Sequence, residues 1–311
     1  MTEFAKIVVA EKLGGPEVLR VVERPLLPPG PGKVAVRVKA VGVNPVDLKI
    51  LAGTRGRAPD LPWQPGFEAA GVVTEVGPDV TAWRPGDEVI VFRAAGTYAS
   101  ALVVSEGALT AKPVSLSWEQ AAGLLLVGTT AVHALDATHV GTGDLVLAHG
   151  AAGSVGLVLV QLARRQGASV IGTASQRNHE LLRSLGATPV EYGDGLASRV
   201  QGIGTPTVAI DLVGTQEALD VSLALVANRA RVLTVVNAPA FLAAGALAIG
   251  GGPGADPGTA IRDAARGQLA WLAGTGQLSV RIAKTFPLDR AADALRLVGE
   301  GHPDGKVILL P

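Results

Sequence analysis

Residues 145 to 168 read LVLAHGAAGSVGLVLVQLARRQGA, and this stretch decides the fold. An apolar run, Leu145 to His149, enters the bend Gly150-Ala-Ala-Gly153-Ser-Val-Gly156, and a helical pattern follows at once. Glycines at this spacing allow a tight turn and close approach of the backbone to a diphosphate. The amides of Ser154 and Val155 then face the anion at a helix N-terminus, and Gly156 lets that helix pack against the strand. The spacing is GxxGxxG rather than GxGxxG, so the context carries the reading: strand before, amphipathic helix after, second strand at 169–173. Gly150, Ala152, Gly153, Ser154, Val155 and Gly156 are therefore candidate binders of a dinucleotide. The segment Ala152-Gly-Ser154-Val-Gly156 also fits a relaxed nucleophile elbow, AxSxG. A hydrolase of that kind needs an Asp and then a His after the serine; His179 and His302 exist, with Asp194, Asp211 and others available. The helix continuing through Arg165 and the regular strand–helix repeats after it suit a dinucleotide fold equally or better.

Outward from this turn, apolar runs at 144–149, 169–173, 208–212 and 230–236 alternate with helical stretches near 154–166, 175–185, 215–226 and 259–273. Buried β-branched strands alternating with helices predict an α/β fold with a doubly wound parallel sheet. Upstream the rhythm is different. Lys33–Ala40 (KVAVRVKA) alternates at period 2, and short strands at 68–76, 88–92 and 101–104 are separated by Pro/Gly turns, which predicts a compact barrel or sandwich. Ser117 is placed to cap a helix from Trp118. The last elements, 279–286, a helix near 288–299 and a strand at 306–310, either extend the parallel sheet or return to the first domain. The second strand of the dinucleotide pattern ends in Thr173-Ala-Ser175-Gln-Arg177, with no acid before Glu180. Ser175 and Arg177 offer a hydroxyl and a guanidinium to a 2′-phosphate where an acid would repel it, so the expected coenzyme is NADPH.

Composition sets the outer limits. The chain has 311 residues, with 27 basic and 27 acidic side chains that cancel, so the electrostatic footprint of a nucleic-acid binder is missing. With Cys 0, disulfides, thiolate chemistry, iron–sulfur clusters and cysteine-ligated zinc are excluded. The two longest uncharged stretches, 145–163 and 232–255, are broken by Gly, Pro, Asn and His and do not read as membrane spans. The start carries Glu3 before only a short apolar run, so no secretory signal is expected, and the location expected is cytoplasmic.

Several motifs occur in order along the chain. Val43-Asn44-Pro-Val-Asp47-Leu-Lys49, Pro65-Gly66-Phe67-Glu68-Ala-Ala-Gly71, Gly86-Asp87-Glu-Val, Gly96-Thr-Tyr98-Ala99, Gly128-Thr-Thr130-Ala131 and Gly305-Lys306-Val-Ile resemble the zinc-free quinone oxidoreductase (zeta-crystallin-like) branch of the medium-chain dehydrogenase/reductase superfamily. The resemblance implies a GroES-like catalytic domain (1–117 plus 284–311) with a Rossmann domain (118–283) inserted, an interdomain active site and a homodimer. It also implies NADPH-dependent reduction of quinones, enones or other activated alkenes and carbonyls. A pathway-specific enoyl or ketone reductase, or a non-catalytic NADPH-binding protein, is the alternative.

Zinc-dependent relatives carry a cysteine where Asn44 stands and a histidine where Phe67 stands. Of that set only Glu68 remains, so no metal site is expected. The resemblance puts Asn44 beside the nicotinamide, to bind coenzyme or polarise a substrate carbonyl. It puts Lys49 at a proton-relay position, where it serves as proton donor or as a solvated residue. Thr130 matches a hydroxyl near the nicotinamide and Tyr192 a position near the adenosine phosphate, while Thr173, Val213 and Val236 lie at strand ends on the coenzyme edge. Arg55 and Arg57 stand where many relatives have a tyrosine. His149 reads as a packed strand-end residue rather than a base, and Tyr98 as structural.

Overall fold

A computed structural model describes residues 3–55, 58–301 and 303–311. Arg57 and His302 thus lie outside the described residues. The chain divides into two compact units, Met1–Leu126 with Arg266–Pro311, and Val127–Ala265.

The first unit opens with an antiparallel pair, β1 (Phe4–Ala10) and β2 (Leu19–Pro25). Then come β3 (Lys33–Val43), helix α1 (Pro45–Leu51), β4 (Glu68–Val76), β5 (Glu88–Phe92), β6 (Ala101–Ser105) and β7 (Leu109–Ala111). The period-2 pattern of β3 works as the sequence predicts: Val34, Val36 and Val38 are buried while Lys33, Arg37 and Lys39 face solvent. These valines join Val89, Val91 and Leu102 in one apolar core. Helix α2 (Trp118–Ala122) begins with reciprocal caps, Ser117 Oγ accepting from the Gln120 amide at 3.2 Å and Gln120 Oε1 from the Ser117 amide at 3.0 Å. From the sequence, this helix is expected to open the second domain. It packs on β3, β4 and β5, and the first compact unit extends to residue 126.

After α3 (Leu125–Ala137), the second unit runs β8 (Leu145–His149), α4 (Ser154–Arg165), β9 (Ser169–Thr173), α5 (His179–Ser184), β10 (Thr188–Val190), α6 (Leu196–Gln201), β11 (Val208–Asp211), α7 (Gln216–Leu225), β12 (Val232–Thr234), α8 (Ala238–Ala243) and β13 (Leu247–Ala248). The six strands are all parallel, in the order β10-β9-β8-β11-β12-β13. The first three are wound in one direction and the last three in the other, so the order reverses between β8 and β11. In open α/β sheets a ligand sits at the carboxyl ends of the strands flanking such a reversal. The stretch expected as a strand over 230–236 is shorter, because residues 229–231 form a 3-10 turn. Within that turn the Arg231 guanidinium swings back to Asp144 and to the carbonyls of Thr138 and His139. The helix expected over 175–185 begins as a 3-10 turn at Gln176–Asn178 before α5.

Helix α9 (Thr259–Gly274) leads to β14 (Ile282–Pro287), α10 (Ala291–Gly299) and β15 (Lys306–Leu310). Of the two fates open to this tail, it takes the return. β15 pairs in parallel with β14 and antiparallel with β3, placing Val307 opposite Val43. No described helix is long and apolar enough to cross a membrane.

Candidate functional site

In the second unit, the glycine bend lies at the end of β8, at the sheet's reversal. Gly150 takes a left-handed φ of 75°, and its amide donates to Thr173 Oγ1 at 3.0 Å. Ala151 N donates to the Thr173 carbonyl at 3.1 Å, so Thr173 serves the bend by holding it. Gly153 is the N-cap of the 12-residue α4 and offers no side chain to it. The first amide that reaches back inside the helix is Leu157, to Gly153 O at 2.9 Å. The amides of Ser154, Val155 and Gly156 therefore have no intrahelical acceptor, at the positive end of the helix dipole. A Cβ on Gly153 would meet only Gly150 O, at 3.4 Å, an ordinary van der Waals contact, so the N-cap is not crowded. A helix start with no side-chain cap at an uncrowded glycine, at a strand-order reversal, fits a diphosphate.

The other expected binders of this unit line up unevenly. Val213 and Val236 are exposed by 44% and 36%, at the carboxyl ends of β11 and β12. A Cβ on Gly150 would lie 2.5 Å from Val213 Cγ1, so the bend and Val213 adjoin. Ser175 is half-buried, Arg177 and Tyr192 are exposed, and Thr130 is buried in α3. His149 is buried and paired with Ser222 Oγ at 3.1 Å; since Ser222 donates its hydrogen to Ala218 O, His149 Nε2 is the donor. Burial lowers its pKa to about 4, a neutral packed ring rather than a base.

In the first unit the motif residues converge on a buried polar cluster. Asn44 is 1% exposed. Its Nδ2 donates to Gly42 O at 3.2 Å and Glu68 Oε1 at 3.1 Å, and its Oδ1 accepts from Lys306 Nζ. Both amide hydrogens are thus spent inside the fold, leaving none for a substrate carbonyl. Lys306 Nζ also donates to Glu68 Oε1 at 2.6 Å, and Glu68 Oε2 accepts the Leu126 amide at 2.8 Å. Gly42 makes this approach possible, for a Cβ there would lie 2.5 Å from Glu68 Oε1.

One turn along α1, Asp47 Oδ2 accepts from the Asn44 amide at 2.9 Å and from the Tyr98 hydroxyl at 3.0 Å, while Asp47 Oδ1 has no partner. Burial raises this carboxyl to about 7 against the pull of its bonds and of Lys306. Burial and Asp47 together push the Tyr98 hydroxyl well above the usual phenol range. Lys49, half-buried on the same helix, is lowered by burial and by Arg55. Asn44, Lys49 and Tyr98 stand out in the sequence, whereas Asp47 and Lys306 do not. Their only sequence signal is a charged residue inside a buried motif.

Asp47 gives the fold a pH dependence of definite sign. Folded, it binds its proton more tightly than an unfolded Asp at 3.8, so its contribution is whole below that pH and is lost as pH rises to about 7. His149 acts oppositely, losing stability as pH falls from 6.5 toward about 4. The two slopes oppose one another between these limits. Asp47→Asn removes only the first. The stability of wild type minus that of the variant is expected to fall by about 3 kcal/mol between pH 4.5 and 7, at ~1.4 kcal/mol per unit. Urea titrations at several pH values measure it, and a flat difference would contradict the buried-acid account.

Residues 30–114 match the alcohol dehydrogenase GroES-like domain family, and residues 185–309 the zinc-binding dehydrogenase family. The solved quinone oxidoreductase of Pseudomonas syringae pv. Tomato DC3000 is 33% identical, with a TM-score of 0.87 over 99% of this chain and 100% of that one. The chain belongs to the quinone oxidoreductase branch of the medium-chain dehydrogenase/reductase superfamily. Another branch member, the Escherichia coli quinone oxidoreductase complexed with NADPH, is 28% identical, with a TM-score of 0.86 over 98% of this chain and 100% of that one. The rat synaptic vesicle membrane protein VAT-1 homolog is 38% identical over 192 residues, 60% of this chain and 48% of its own. The chain spans about half the length of the curated relatives it matches. The two units are accordingly a GroES-like domain and a Rossmann-type domain. The zinc in the second family's name does not fit the donors present. Asn44 and Phe67 are not zinc ligands, Glu68 is consumed by Lys306, and no group of three or more His, Cys, Asp or Glu able to hold a metal occurs among the described residues.

Proposed function

We propose that this quinone oxidoreductase relative is an NADPH-dependent reductase that acts without a metal on a quinone, enone or other activated alkene or carbonyl. The uncapped start of α4 behind Gly153, at the reversal of the parallel sheet, carries this reading. Ser154 and Val155 amides bind the diphosphate there, and Gly150, Ala152 and Gly156 shape the bend that presents them. Thr173 fixes that bend. Ser175 and Arg177 take the 2′-phosphate, Tyr192 lies by the adenosine phosphate, and Val213, Val236 and Thr130 line the nicotinamide end. When bound, the coenzyme supplies hydride.

On the acceptor side, Asn44 holds the turn into α1 and Lys49 Nζ gives the proton. Burial and the neighbouring Arg55 favour its release by lowering the ammonium's pKa. The similarity to an NADPH complex supports the choice of coenzyme, as does the absence of an acid between Thr173 and Glu180.

Steady-state assays with NADPH and NADH over a panel of quinones and enones test the reading. Arg177→Ala is expected to raise the KM for NADPH about 10-fold or more, the worth of a charged hydrogen bond, and to leave NADH unchanged. Equal losses for both coenzymes would remove the 2′-phosphate assignment. Quenching of NADPH fluorescence without consumption anywhere on the panel would mark a binding protein instead.

A further inference from the structure

Asp211 ends β11 fully buried, and it is surrounded by donors alone. Its carboxylate accepts from Val213 N at 2.9 Å, from Gly214 N at 2.9 and 3.1 Å, and from Thr234 Oγ1 at 2.6 Å. The direction of the last bond is fixed. Thr234 Oγ1 also receives the amides of Val236 at 3.0 Å and Asn237 at 3.1 Å, and an amide nitrogen can only donate. The hydroxyl's one hydrogen therefore goes to Asp211. A protonated Asp211 would add a hydrogen with no acceptor around it. Burial raises its pKa, but the four donor contacts oppose that rise, and the anion is the form this pocket fits. No cation is paired with it among the described residues.

Every one of these donors belongs to Thr234 or to the two backbone segments that end β11 and β12. Asn237 Nδ2 ties the segments together by donating to Gly214 O at 3.3 Å. A buried negative charge is thus bonded into the backbone that leads to Val213 and Val236, at the edge where the sheet order reverses, with Val213 in turn against Gly150.

Resting on the coenzyme reading above, we propose that Asp211 is a positioning residue whose charge biases the site toward the oxidised, cationic form of the nicotinamide. The oxidised ring carries a positive charge and the reduced ring none. A fixed anion behind this edge therefore stabilises the first relative to the second, and so favours loss of hydride. Thr234 orients the carboxylate but contributes no charge, so the two residues separate geometry from electrostatics.

The test is equilibrium titration of NADP+ and of NADPH into the wild-type chain and its variants. Asp211→Asn is expected to weaken NADP+ about tenfold more than NADPH, from Coulomb attraction in a partly dry site. Asp211→Ser, also neutral and smaller, gives the same comparison should the Asn variant not fold. Thr234→Val keeps the charge and is expected to weaken both forms by a similar factor. Equal weakening of both forms by the neutral variants, or a ratio moved as far by Thr234→Val as by Asp211→Asn, overturns the proposal. Failure of the wild-type chain to bind either form would instead overturn the coenzyme reading and this inference with it.

Discussion

Lys306→Met is expected to cost about 3–5 kcal/mol of folding stability, because it strands a buried charge. Glu68 is fully buried and Lys306 is 1% exposed, so neither partner can recover water when the other is removed. In the variant, Glu68 keeps the Leu126 amide and Asn44 Nδ2, two neutral donors in place of an ammonium. Asn44 loses the donor to its Oδ1, and with it the bond that joins the start of α1 to β15. Glu68→Leu should be comparably harmful, since it leaves the ammonium with only Asn44 Oδ1 of its two carboxylate and amide partners. The double variant Glu68→Leu/Lys306→Met leaves no uncompensated charge, and it should cost clearly less than the sum of the single changes. Urea denaturation of the four proteins completes the cycle. Additive costs, or single-variant costs below about 1 kcal/mol, would mean that this pair is no more than a surface ion pair in effect.

Such buried partners explain what the sequence could and could not disclose. The glycine bend, the apolar strands and the following helix are all local, within 24 residues, so their period and spacing are visible directly. The alternation of strand and helix likewise forces parallel pairing, and the observed sheet is parallel throughout. Glu68 and Lys306 are 238 positions apart and meet only because β15 returns beside β3, a pairing that the apolar run KVILL does not specify. Asp211 and Thr234 are 23 apart, joined across neighbouring strands at their ends. Nothing in either residue's neighbourhood announces the other. The short elements β10, α6 and β13 are held by their sheet and helix neighbours rather than by a pattern of their own, and period reading passes over them. Asn44 illustrates a different limit. Its motif is legible, but whether its amide points to a ligand or inward depends on Lys306, which only the fold supplies.

The bend itself yields the second large effect, through two glycines that should fail in different ways. A Cβ on Gly156 would stand 2.6 Å from Ala151 Cα, Ala151 O and Gly150 O, all of them backbone of the bend. Gly156→Ala must therefore push the bend away from α4. A displacement of this kind costs about 1–3 kcal/mol, and it moves the amides that would hold the diphosphate. Both stability and coenzyme affinity should drop, the latter about 10- to 100-fold. Gly153 is the opposite case. It has an ordinary φ of −72°, and its Cβ would meet only Gly150 O, at an ordinary 3.4 Å, so Gly153→Ala should leave the melting temperature unchanged or slightly higher. On the coenzyme reading, a methyl group at this N-cap stands in the way of a diphosphate bound to the Ser154 and Val155 amides. Affinity should accordingly fall at least as far as in Gly156→Ala while the fold is undamaged. Thermal melts and coenzyme titrations on the two variants separate the cases. An alanine at 153 that binds NADPH as well as wild type would show that the coenzyme's phosphates do not rest on the Ser154 and Val155 amides.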